Sequence, residues 1–100
     1  MIKLIMGVIL YGVSLFIFAD EGEVIKEDVC GTGNAIIKTT DGWYVAAKHS
    51  SGAYLHEGDI VFGNLKTFGF QDITRDDDKA NFYIEDYEKS ISAASKELCE

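Results

Sequence analysis

Ala35-Ile-Ile-Lys-Thr-Thr-Asp-Gly-Trp-Tyr-Val-Ala-Ala-Lys-His49 is the stretch that decides the fold. A run rich in β-branched residues leads into Asp41-Gly42, and an aromatic and aliphatic run leads out of it. Asp-Gly supplies the pair of positive φ angles that a type I′ turn needs, so the segment predicts a β-hairpin with a two-residue loop. In that register Thr40 faces Trp43, Lys38 faces Val45 and Ile36 faces Ala47. Apolar residues then fall on both faces. A flat, half-exposed sheet alternates more cleanly, whereas a tightly coiled small barrel accommodates the mixture.

Working outward, Val24–Val29 reads as a strand that ends in Cys30-Gly-Thr-Gly-Asn34, preceded by an acidic lead-in at Asp20–Glu23. Proline is absent, so turns must come from Gly, Asn, Asp and Ser. Downstream, His49–Ala53 reads as a loop, and Leu55–Phe62 as a turn that delivers a strand. Thr67–Ile73 reads as a strand bent at Gly69, Arg75–Lys79 as a charged turn, and Ala80–Ile84 as a last strand. Tyr87, Ile91, Ala94 and Leu98 then fall on one face of a helix whose cap is Asp86 or Ser90. The stretch Leu55-x-x-Gly58-Asp59-x-Val61 is similar to the turn entering a strand in SH3-like and OB-like barrels. The fold class expected is mainly β (α+β). It is a five- to six-stranded SH3-like or OB-like barrel, or a bent antiparallel sheet, with one C-terminal helix.

The first residues carry the address. Lys3 precedes an uncharged apolar run from Leu4 to Ala19, which stops at Asp20-Glu21. As a helix this run would rise about 24 Å, short of the roughly 30 Å of a bilayer core. A basic start, an apolar centre and a small residue at the boundary predict a signal peptide over residues 1–19, with a secreted or periplasmic domain over 20–100. The alternative is an uncleaved N-terminal anchor. Export brings an oxidising compartment, and the two cysteines, Cys30 and Cys99, allow one intramolecular pairing. That disulfide would close a loop of 69 residues.

Nine Lys and Arg stand against 17 Asp and Glu, a net charge of −8, and loss of Lys3 with the leader takes it to −9. With no cluster of Lys or Arg, the chain lacks the cationic face that nucleic-acid or anionic-membrane binding requires. A basic partner fits the balance. Cys30-Gly-Thr-Gly-Asn34 lacks the third Gly and the following helix of a phosphate cradle. The Asp76-Asp77-Asp78 run fits no EF-hand register begun at Asp72 or Asp77. Two Cys and two His without close spacing make no zinc set. The expectation is therefore of no metal and no cofactor. His49 beside Ser50 and Ser51 is the one arrangement from which a small hydrolase could be built, but residues adjacent in a chain rarely face each other.

The aromatic residues carry the functional signal. Nine fall between Trp43 and Tyr87, and the expectation is that about six are core. Trp43 and Tyr44 beside the hairpin tip, and Tyr54 in a Ser- and Gly-rich loop, are the candidate contact residues. Ser51-Gly52-Ala53-Tyr54 resembles part of the Ser-Gly loop motif of bacterial C-type lysozyme inhibitors. Those are small exported β-barrels with a Cys near each end, which insert the loop into the cleft of a cationic enzyme. The likeness covers these four residues and the general layout. The family's Tyr stands one residue later, its second motif (a Trp followed by Lys-Gly) is missing, and the C-terminal helix departs from it. The resemblance implies a cationic exported enzyme as partner. The functional expectation is an exported, non-enzymatic binding domain for a basic protein such as a cell-wall enzyme. The alternatives are a structural or accessory envelope protein, and a small hydrolase.

Overall fold

A computed structural model describes residues 20–99; the expected signal peptide lies outside the described residues. Six antiparallel strands close into a barrel in the order β1-β2-β3-β6-β5-β4. They are β1 (Asp20–Val29), β2 (Asn34–Thr39), β3 (Tyr44–Gly52), β4 (Ile60–Gly63), β5 (Gly69–Arg75) and β6 (Asp78–Glu88), followed by helix α1 (Ile91–Cys99). Closure leaves no continuous free edge along the sheet, which is how a short chain avoids an open strand that could pair with other chains.

The hairpin forms, but with a different loop. Ile36 pairs with Ala46, Ile37 with Val45 and Lys38 with Tyr44, one residue out of the predicted register. Three residues, Thr40-Asp41-Gly42, make the connection, and of these only Gly42 has positive φ (93°). The cause is Thr39. Its hydroxyl donates to Asp41 Oδ1 (2.5 Å) and accepts the Trp43 N–H (2.9 Å), holding a turn in which Gly42 alone must be left-handed. The shifted register also separates the apolar residues. Ile37, Val45, Ala35 and Ala47 point inward to the barrel core, around the fully buried Phe82. Ile36 and Ala46 point outward, where Ala94 and Leu98 of α1 cover them. The apolar residues on both hairpin faces therefore have two partners, the barrel interior and the helix.

Several boundaries also differ from expectation. Asp20–Glu23 is no lead-in: it is the start of β1 and pairs with both β2 and β4. The stretch His49–Gly52 is not loop but the end of β3, with Ser51 opposite Asn81 and Gly52 opposite Ala80. β6 extends through Glu88, so Tyr87 belongs to a strand and the helix begins later. Ser90 is the cap, its Oγ accepting the Ala93 N–H at 3.2 Å. In each case a neighbouring strand extends the pairing beyond what local propensity suggests. Register shifts in β1 and between β3 and β6 supply the bends that closure requires.

A disulfide joins Cys30, in the β1–β2 turn, to Cys99 at the end of α1, with Cα atoms 5.6 Å apart. It pins the end of the helix to the β1–β2 turn, while the helix body packs on β3, β6, β2 and β1. Among the described residues no helix is long and apolar enough to cross a membrane.

Candidate functional site

Helix α1 packs on β1, β2, β3 and, around Asp86 and Glu88, the end of β6. It makes no contact with β4 or β5 and leaves their outer face and the adjoining part of β6 open. Alternation along these strands sends Val61, Ile73, Phe82 and Ile84 inward and their neighbours outward. The outward set includes Phe70 (65% exposed), Phe62 (44%), Ile60 (45%) and Tyr83 (38%). Phe70 and Tyr83 are cross-strand partners and meet edge to face, ring centroids 4.9 Å apart. Phe62 lies between Glu21 and Thr74, and Ile60 lies opposite Glu23. Asp72 stands on the same face, where it accepts a hydrogen bond from Asn81 Nδ2 at 3.1 Å. Lys48, next to Tyr83, is matched by Glu85 at 3.1 Å. The face thus carries large apolar groups with Glu21, Glu23 and Asp72 among them, and Lys38 (opposite Glu23) and Lys79 (opposite Thr74) at its margins.

The count of core aromatics expected from the sequence is too high. Phe82 alone is fully buried; Trp43, Tyr44 and Tyr87 are half-buried, and the other five are exposed. The inside of a six-stranded barrel this small is filled by one Phe and aliphatic chains, so the remaining rings lie outside. Sequence reasoning missed Phe62, Phe70 and Tyr83 as surface residues. The period-two pattern around them was legible, but which phase faces outward depends on register.

The predicted contact residues do not come together. Trp43 sits at the hairpin end of the barrel, edge-on to Tyr87 at 5.1 Å and beneath the Lys89 ammonium at 4.8 Å. Phe68, 60% exposed, packs on the other side of this group, 5.6 Å from Tyr87. Lys66 of the β4–β5 loop ion-pairs with Asp41 of the hairpin turn, closing that end. Asp41 is held below the usual carboxylate range by Lys66 and then by the Thr39 hydroxyl. Tyr44 is half-buried against the helix-side cluster.

Tyr54 is at the opposite end of β3 and is 57% exposed. Its ring stacks on His49 (4.2 Å, 15° between planes), and His49 meets Phe82 edge-on at 5.2 Å. Gly33 explains the Gly-rich turn after Cys30. It has φ of 79°, and a Cβ there would come within 2.6 Å of the Tyr54 ring. His49 Nε2–H donates to the Gly52 carbonyl at 3.1 Å, so the ring is engaged with backbone and Tyr54 rather than with the Ser50 or Ser51 hydroxyl.

The loop after Tyr54 is tightly held. Arg75 donates to the Tyr54 carbonyl (2.8 Å), to Asp59 (2.9 Å) and to Asp78 (2.5 Å). Burial works to raise the Asp59 pKa, but the His56 N–H and the Arg75 guanidinium outweigh it and hold Asp59 below its ordinary value. Glu27 bridges β1 to the same loop, accepting the Glu57 N–H at 3.0 Å and His56 Nδ1–H at 3.1 Å. Those two bonds lower its pKa, the backbone one more.

Where β6 meets α1, Asp86, Glu88 and Glu97 bring their carboxylates within 4.8 Å of one another. Partial burial and then the neighbouring Asp86 raise the Glu88 pKa. Of the residues in the Asp76–Asp78 run, Asp78 is spent on Arg75.

No family model, curated protein or solved structure matches this chain.

Proposed function

We propose that this chain is an exported, non-enzymatic binding domain that docks a basic protein on the outer face of β4, β5 and β6. One observation carries the reading: Phe70, Tyr83, Phe62 and Ile60 stand exposed on a face that α1 does not cover, with Glu21, Glu23 and Asp72 among them. Exposed aromatics at this density supply contact area, and Tyr and Phe are common anchors at protein interfaces. The interleaved carboxylates, on a chain of net charge −8, favour a partner that sets Lys and Arg between apolar groups. A second copy of this chain is a poor occupant, because two chains of net charge −8 repel one another. The expected signal peptide and the Cys30–Cys99 disulfide support an extracytoplasmic setting.

The test is site-specific photo-crosslinking from position 70 in the exported fraction of the source cells, with position 77 in the β5–β6 turn as the control. The expected result is a discrete adduct from position 70 with a basic protein, identified by mass spectrometry. It is lost in Phe62→Ser/Tyr83→Ser and weakened at about 1 M salt, where the Debye length shrinks to roughly 3 Å. Equal products from positions 70 and 77, or an adduct indifferent to both the substitutions and salt, would refute the reading and leave the structural or accessory role.

A further inference from the structure

A groove of about 210 Å³ opens at the Tyr54 end of the barrel, away from the helix-free sheet face. Glu27 and Asp28 come from the bulged end of β1, Gly33 from the turn that follows, and Tyr54, Leu55 and His56 from the loop after β3. Leu55 is buried and gives the groove an apolar floor. Tyr54 is an aromatic wall held in place before any ligand arrives, stacked on His49 and backed by Gly33. The carboxylates are also placed. Glu27 is tied to His56 and Glu57, and Asp28 Oδ1 accepts the Gly33 N–H at 2.9 Å. Each carboxylate keeps lone pairs beyond these bonds. Arg75, the guanidinium that anchors this loop, is already matched by Asp59 and Asp78.

We infer that this groove receives an arginine side chain of the basic protein partner. The aliphatic stem lies along Leu55 and the Tyr54 ring, and the guanidinium reaches Glu27 and Asp28. Each contact has a known physical basis: an apolar stem with a charged head suits a groove that is greasy inside and acidic at its mouth. A cation beside an aromatic ring gains electrostatically, and a flat guanidinium donates charge-assisted hydrogen bonds to carboxylates. The inference rests on the reading of a basic partner but concerns a different surface, so the two can fail separately.

The experiment is amide NMR on the purified, disulfide-bonded protein at low salt and pH 7.5. The probes are N-acetyl-arginine amide and N-acetyl-citrulline amide, which has nearly the same shape without the charge. Saturable shifts at Gly33, Tyr54 and His56 are expected with the arginine probe, and binding at least about tenfold weaker with citrulline. Asp28→Asn should weaken the arginine response at least about fivefold with the rest of the spectrum unchanged. Asn tolerates the φ of 49° at this position and still accepts the Gly33 N–H. Tyr54→Ala should weaken it too, whereas Asp72→Asn on the sheet face should not. An equal response to citrulline, shifts that never saturate, or shifts spread over Glu21, Glu23 and Asp72 and untouched by Asp28→Asn would overturn the assignment. If the groove responds and crosslinking from position 70 yields nothing specific, the groove stands and the sheet-face reading falls. The reverse outcome removes the groove alone.

Discussion

Removing the disulfide tests how the covered side of the barrel is held. Cys30 and Cys99 close a loop of 69 residues, for which chain entropy gives a stabilisation of about 4 kcal/mol at most. The helix it tethers has nine residues, fewer than the roughly 12–15 at which an isolated helix becomes even marginal in water. Only Ala94 and Leu98 of that helix are buried. With so little apolar area to hold it, α1 should undock once the tether is cut, exposing Ile36 and Ala46. In Cys30→Ser/Cys99→Ser the expectation is a barrel that still folds but has lost up to about 4 kcal/mol. At a urea slope of about 1 kcal/mol per M, the midpoint then falls by as much as ~4 M. Trp43, half-buried against Tyr87, reports barrel unfolding by fluorescence. Hydrogen exchange reports the helix, and amides of Ala94–Cys99 should lose protection well before those of β2 and β3. The reasoning fails if the double variant keeps those helix amides protected and loses less than about 1 kcal/mol. Packing, rather than the covalent tether, would then hold α1.

Four smaller perturbations follow from the same structure. Ser90→Ala removes the cap on the Ala93 N–H and should cost about 1 kcal/mol, seen as faster exchange in the first turn of α1. Phe70→Ser removes the edge-to-face pair with Tyr83 and should cost only about 1 kcal/mol of urea stability, leaving the barrel folded while binding is lost. Glu88, raised by partial burial and by Asp86, is disfavoured in its charged form, so Glu88→Gln should raise Tm at pH 7 and lose that advantage near pH 4. Glu27, Asp41 and Asp59 act in the opposite sense. Their lowered values stabilise the fold fully above the unfolded carboxylate range of about 4 and lose that stabilisation as pH falls below it, so a pH titration of Tm should drop on the acid side.

Local sequence sufficed for the hairpin at Asp41-Gly42, the barrel with one C-terminal helix, the Cys30–Cys99 pairing and Tyr54 as an exposed ring. Turn chemistry, period-two runs and the count of cysteines are properties of short segments, or of composition, and need no neighbour to be read. Whether the hairpin loop has two residues or three was decided by the Thr39 hydroxyl bonding across the turn. That one-residue difference determined which apolar residues enter the barrel and which lie beneath α1. The exposure of Phe62, Phe70 and Tyr83, and the meeting of Glu27, Asp28 and Tyr54 in one groove, also belong to tertiary structure. The face a strand residue occupies depends on pairing with a distant strand, and a groove built from β1 and a loop some 26 residues later exists only after the chain has closed on itself.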